Sequence, residues 1–394
     1  MSINIADEAA ILHERNQQNQ HQEPNEDRPI TRPYRPNLQP LPLTWGDLAK
    51  FDAIIDTRSP AEFALDHLPG AINCPVLSNE ERIMVGTLHK QASPFEAKKV
   101  GAAMVARNIA LTIDTQFRDK PKQWKPLIYC WRGGSRSGAM THIFRAIGWG
   151  AVQLEGGYKA WRAQVVQDLA AMPDQFTYDV ICGRTGSGKS RLLEAMAEHG
   201  AQVLDLEKIA AHKGSVLGNL PDQPQPSQKM LDSLIWAQLS QFDPTRPIFV
   251  EAESKKIGVL RVPDPLIRAM WQGRCFEVIT PQPLRVELLH EEYAHLIADH
   301  ELLFFKLDCL AALHSKEQIL QWKALAKNGQ WHEFVASMLN GHYDPAYDRS
   351  MFKNYLNIKA AAAIHITDIS LRGFSEQALR LVKLSTLVAT EHSC

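Results

Sequence analysis

The run GRTGSGKS, Gly183 to Ser190, directly follows the apolar, β-rich stretch YDVIC and opens a helical pattern at Lys189. No other segment constrains the fold as strongly. A strand that passes through a glycine-rich turn into a helix aims successive backbone N–H groups, and the positive end of the helix dipole, at one anion. The surrounding pattern is therefore expected to be α/β. Gly183, Gly186 and Gly188 permit the turn, and the amides from Thr185 through Ser187 to Lys189 are expected to wrap a diphosphate. The Lys189 ammonium would neutralise its outer charge, and Ser190 would hold Mg²⁺ where a metal is present. Glu251, closing PIFVE, and Asp205, closing QVLDL, compete as the acidic partner of such a metal. A carboxylate at the end of a buried strand is, however, equally its first solvated position. No metal is assigned beyond Ser190 with Mg²⁺, and no tightly bound cofactor is expected. No nucleobase pocket is legible, so the loop reads as a diphosphate holder whether or not it hydrolyses ATP.

A second loop carries a nucleophile. In PLIYCWRGGSRSG a β-rich strand delivers Cys130 into a turn made by Arg132, Gly133, Gly134 and Ser135, and Arg136 begins a helix. Inward-turned amides, a helix N-terminus and the guanidinium of Arg132 or Arg136 form an expected anion cradle, and that field favours the reactive thiolate of Cys130. Cys74, Cys182, Cys275 and Cys309 sit in apolar surroundings and read as inert core.

Around the two loops, strand and helix alternate in two successive series, which predicts two parallel sheets covered by helices. A chain of 394 residues is long enough for two cores. The expected organisation is a parallel α/β domain over 43–170 and a phosphate-loop α/β domain over 176–394. The second carries a helical insertion around 299–340 and a helical C-terminal segment. Within the first domain one long helix is predicted from Glu80 to Arg107 and a strand over AVQLE. Residues 1–42, with QNQHQEPNEDRP and a proline-rich run, read as a disordered polar leader.

Composition narrows the classes further. The formal net charge of -1 gives no global field to attract nucleic acid, so RNA binding would need local clusters such as Lys98-Lys99, Lys120-Lys122 or Lys255-Lys256. Six cysteines without a CxxC pair argue against a disulfide framework and a zinc site. No apolar run approaches membrane-spanning length and no signal-peptide pattern opens the chain, so the expected location is the cytoplasm, with no membrane partner.

The segment IIDTRSPAEFALDHLPGAINCP resembles the opening of a rhodanese domain, through Asp56, Arg58, Glu62, His67, Pro69, Gly70, Ala71 and Asn73, and LEGGYKAW resembles its closing motif. One phosphatase class shares that fold and a similar cysteine-to-arginine spacing. The pairing with a phosphate loop closely resembles the bacterial tRNA 2-selenouridine synthase family. That resemblance extends to Gly86, Thr87, His89, Lys90, Gln91 and Gly101, and to DLEKIAAHKGSVLG, QPSQ, VEAESKKIG, LHEEY and HYDPAY. It implies that wobble 2-thiouridine of a tRNA is alkylated on sulfur by geranyl diphosphate and then receives selenium from selenophosphate, with handover from a selenophosphate synthase. It also implies Cys130 for the selenium step, a position near the geranyl site for Gly101, and Trp131 stacking on a base or on the geranyl chain. His212, Lys213, Glu253, Ser254, Tyr343 and Asp344 fall on family motifs without a derivable role. Two rival readings remain from the residues themselves: a sulfurtransferase or cysteine phosphatase with an accessory nucleotide domain, and an ATP-dependent kinase.

Overall fold

The computed structural model describes residues 45–391, with side-chain environments between 46 and 385. The expected leader over 1–42 lies outside the described residues. The first sheet contains β1 (Ala53–Asp56), β2 (Ala71–Asn73), β3 (Pro126–Tyr129) and β4 (Val152–Gln153) in the order β2-β1-β3-β4, every pair parallel. The second contains β5 (Tyr178–Cys182), β6 (Gln202–Leu204), β7 (Ile248–Glu251), β10 (Arg274–Ile279) and β11 (Ala362–His365). Its order is β11-β10-β5-β7-β6, again all parallel. Two-residue strands β8 (Lys256–Ile257) and β9 (Leu260–Arg261) form a separate antiparallel hairpin. β3, β5 and β7 are buried along their whole length, as strands covered by helices on both faces must be, and this is why they read as unbroken apolar runs.

Two predicted elements differ. The long helix is divided into α2 (Asn79–Gln91) and α3 (Pro94–Thr112), after α1 (Pro60–Leu65). The break is chemical: the Ser93 hydroxyl accepts hydrogen bonds from the amides of Phe95 and Glu96, and Pro94, lacking an N–H, occupies the first helical turn. The AVQLE strand is reduced to Val152–Gln153, because the chain turns at Gly156 and Gly157 to cover the cysteine loop.

After α4 (Ser135–Ile147) and α5 (Gly157–Ala171), a short turn over Met172–Gln175 leads into the second sheet. The two sheets share one core. Trp161 of α5 packs edge-on against Trp236 of the helix Gln228–Leu239 at 6.1 Å between ring centroids. Beside them the Arg162 guanidinium donates to the Lys229 carbonyl (2.9 Å) and pairs with Asp232, while buried Asp66 accepts from the hydroxyls of Ser233 and Tyr158, each at 2.8 Å. The region 299–340 is helical. His300–Asp308, Lys316–Lys327 and Trp331–Met338 close around Trp322, Phe334, Leu303 and Leu307. The last helix, Leu371–Glu391, packs Phe374, Ala378 and Leu381 against α6 (Lys189–Glu198), behind the phosphate loop.

Candidate active site

Cys130 leaves β3 directly into its loop and is 3% exposed. Its Sγ receives the Ser137 hydroxyl at 3.2 Å, and Ser137 in turn receives the Gln153 side-chain amide at 2.9 Å. Gln153 also donates to the Gly133 carbonyl (2.6 Å), so one amide ties the loop and the serine together. The glycine pair of LEGGY packs onto this turn: a Cβ on Gly157 would lie 2.3 Å from the Cys130 carbonyl oxygen and 2.4 Å from the Gly133 nitrogen. No other residue fits there. Arg136 does not reach into the cradle; its guanidinium is engaged by Glu62 at 2.6 and 3.2 Å. Burial raises the Glu62 carboxyl, but the Arg136 hydrogen bonds and charge prevail and hold it below its ordinary range. Of the two arginines expected at the loop, Arg132 is exposed with Ser135, and Arg136 fastens α4 to α1. Gly134 is the residue before α4, and Trp131 lies partly exposed over Tyr158, 5.1 Å between centroids.

The second loop follows β5. Gly186 and Gly188 have φ of +75° and +87°, and side chains there would collide with Leu289 and Phe374. Three side chains hold the loop from outside. Arg285 donates to the Thr185 carbonyl (2.9 and 2.8 Å), Thr280 donates to the Ser187 carbonyl (2.8 Å), and the Tyr347 hydroxyl accepts from the Gly183 amide (2.5 Å). A trans peptide points its N–H away from its C=O. The amides of Gly186 and Gly188 are thus turned away from Arg285 and Thr280, and both glycines line one cavity.

That cavity, about 340 Å³, is strongly charged. The Lys189 ammonium lies 3.2 Å from Glu251, whose other oxygen is 3.5 Å from the Ser190 hydroxyl. Glu207, Glu251 and Glu253 bring carboxylate oxygens within 4.8 Å of one another. Burial lowers the Lys189 pKa, but Glu251 and Glu207 outweigh it and keep the ammonium charged. Among the acids, burial and then Glu251 push Glu253 up to about 8. Burial also raises Glu251 despite the lysine, and lifts Glu207 well above its usual range. Lys213 lines the same space and pairs with Glu292 at 2.9 Å.

A rhodanese-like domain model matches residues 44–164, and the model described as the tRNA 2-selenouridine synthase AAA domain matches 176–302. A tRNA 2-selenouridine synthase of Nitrosomonas europaea is 34% identical over 244 residues, 61% of this chain and 63% of that protein. Those of Aeromonas salmonicida (33% over 265 residues, 66% and 70%) and Hydrogenovibrio crunogenus (29% over 332 residues, 77% and 91%) are also similar. The chain belongs to the tRNA 2-selenouridine synthase family.

Within this family member the remaining motif residues divide sharply. Lys213, Glu253, Ser254 and Tyr343 line the phosphate-loop cavity, with burial pushing Tyr343 up to about 12. Asp344 is held by Arg285 at 2.6 and 3.0 Å and so supports the loop indirectly. Asp205, the competitor of Glu251, instead caps the short helix Leu206–Ile209 by accepting from the Lys208 amide. His212 is buried outside the cavity lining. Gly101 faces Val85 where α3 crosses α2, a Cβ there lying 3.3 Å from the valine, and lines neither cavity near the phosphate loop. No residue of the Cys130 loop lines the phosphate cavity either. Cys74, Cys182 and Cys275 are buried, but Cys309 is exposed, because it falls on the outer side of a turn rather than on a packed helix face. The sequence reading missed Arg285, which carries no local signature; Glu207, Glu292 and Tyr347 were signalled only as members of DLEKIAAHKGSVLG, LHEEY and HYDPAY.

The acid cluster makes a prediction. Folded Glu253 keeps its proton up to about pH 8, whereas in the unfolded chain it is released near its ordinary 4.5. The folded state therefore binds more protons between these values, and stability declines as pH rises through them. Tm measured from pH 6 to 9 should fall for the native chain, and Glu253→Gln should flatten the slope. Equal slopes for the two proteins would refute this titration.

Proposed function

We propose that the protein converts wobble 2-thiouridine of tRNA to 2-selenouridine through an S-geranyl intermediate, using geranyl diphosphate and selenophosphate. The observation that carries this reading is the presence in one chain of two glycine-rich strand-to-helix turns, one bearing a sheltered thiol at Cys130 and the other an ammonium at Lys189. In the first step the thiouridine sulfur attacks C1 of the geranyl group, the C–O bond breaks, and diphosphate leaves with the electron pair. The loop amides and Lys189 stabilise that leaving charge. In the second step selenium replaces the alkylated sulfur at C2 of the base and geranyl thiol departs. Water oxygen ends on phosphorus as phosphate, so no oxidant or reductant is required. Cys130 acts in this step by steering selenium: its thiolate attacks phosphorus of selenophosphate, hydroselenide leaves with the P–Se electron pair and moves on to C2, and water then cleaves the S–P bond to give phosphate.

The donors around Lys189 suit Mg²⁺: the Ser190 hydroxyl and the carboxylates of Glu251, Glu207 and Glu253 are all hard oxygen ligands. Bound there, the ion would offset diphosphate charge against the acid cluster. Handover from a selenophosphate synthase is part of the proposal. Among the described residues no helix is long and apolar enough to cross a membrane.

The test is to incubate the protein with 2-thiouridine tRNA, geranyl diphosphate and selenophosphate, and to weigh the digested nucleosides. The expected masses are those of S-geranyl-2-thiouridine followed by 2-selenouridine. An unchanged wobble base would discard the reading, and ATP turnover that persists in Cys130→Ser would favour the kinase.

A further inference from the structure

Beside the charged cavity lies a narrower one of opposite character. The two share Thr185, Leu289, Tyr293 and Tyr343, so they meet at the phosphate loop itself. Beyond that shared mouth the second cavity is walled by Leu217, Leu296, Leu303, Trp331, Phe334 and Met338, contributed mainly by the helical region after β10. His290 is the one titratable side chain of its unshared lining. A nucleobase placed here would leave the donors and acceptors of its edge without partners, because binding sites for polar rings need polar groups converging on them. A hydrocarbon chain needs none. The Tyr293 and Tyr343 hydroxyls stand at the boundary between the polar and apolar spaces, Tyr293 within 3.4 Å of Ser215, and their rings belong to the apolar side.

We infer that this cavity receives the hydrocarbon tail of the diphosphate whose head the phosphate loop holds, and that its walls select the tail length. The inference rests on the reading of the loop under Proposed function and extends it. It assigns to the helical region around 282–343 the binding of a short alkyl chain, and to Phe334 and Val335 a part in chain-length choice. On this inference the specificity lies in an amphiphile, polar at Lys189 and apolar past Leu289.

Equilibrium binding of inorganic diphosphate, dimethylallyl diphosphate, geranyl diphosphate and farnesyl diphosphate to the full chain tests it. Affinity should rise from inorganic to dimethylallyl to geranyl diphosphate, with geranyl at least about tenfold tighter than the inorganic ion, and farnesyl should add nothing. Val335→Trp, which fills the cavity, should erase the geranyl advantage while inorganic diphosphate binds as before. Phe334→Ala, which deepens it, should let farnesyl diphosphate match or exceed geranyl. Retained inorganic diphosphate binding shows that each variant has folded with its loop intact. Equal affinity for the inorganic and geranyl compounds, or a geranyl advantage that survives Val335→Trp, overturns the tail site alone. Failure of inorganic diphosphate to bind the native chain overturns the head-group reading, and the tail site with it.

Discussion

Cys130→Ser is expected to abolish selenium incorporation, by at least about 10³-fold, while S-geranyl-2-thiouridine accumulates in the tRNA. Cys130 carries the thiol of its loop, and losing that nucleophile removes the step that frees hydroselenide from phosphorus, since a serine hydroxyl stays protonated where a thiol ionises. The substitution is close to isosteric. The loop is held by the backbone bonds of Tyr158 and Lys159 to residues 130 and 131 and by Gln153, none of which depends on sulfur. The geranyl product should consequently form at a near-native rate. Nucleoside masses followed over time separate the two steps. Selenium incorporation by the serine variant at the native rate would remove Cys130 from the chemistry. A parallel Ser137→Ala variant should slow the selenium step more modestly, since Ser137 only donates to the thiol at 3.2 Å.

Lys189→Met should cut geranylation by at least about 10²-fold, the scale of losing one charged stabiliser of a leaving anion. The ammonium is the cation facing Glu251 at 3.2 Å, with Glu207 and Glu253 close behind. Its removal has two consequences of the same sign. The diphosphate loses an attractive charge, and it now meets three carboxyls with less to offset them. Breaking a buried pair by deleting one member also costs about 3–5 kcal/mol where the orphaned charge cannot neutralise itself. Here protonation of Glu251 and its neighbours should absorb much of that cost, because burial already raises their pKa. The double variant Lys189→Met with Glu251→Gln should therefore recover stability without recovering geranylation. Supplied with tRNA already geranylated, both variants should still exchange selenium. Loss of that exchange in a protein of native Tm would show that the two loops do not divide the reaction.

Much of the site was legible along the chain. Both loops are contiguous runs whose shape follows from local backbone geometry: glycine where φ must be positive, a strand before and a helix after, and one reactive side chain at a set offset. Cys130, Lys189 and Ser190 needed no knowledge of distant residues. The choice between Asp205 and Glu251 did. Each closes a buried strand, but the strand order places β7 directly beside β5, so Glu251 comes up against Lys189, whereas Asp205 stands at the edge strand and caps the next helix. Arg136 shows the converse. Its spacing from the cysteine suggested an anion ligand, yet Glu62, 74 residues earlier, takes its guanidinium.

What the amino-acid order determined by itself is the pair of glycine-rich strand-to-helix turns, the alternation that makes two parallel sheets, and the punctuation by proline and glycine. These depend on steric and hydrogen-bonding preferences acting over a few residues. Tertiary structure alone decided which carboxylates surround Lys189, that Arg285 and Thr280 hold the loop carbonyls, and that an apolar cavity opens beside a charged one. Most of those contacts join residues about 60 to 160 positions apart, where charge and burial act through space and leave no periodic trace in the chain.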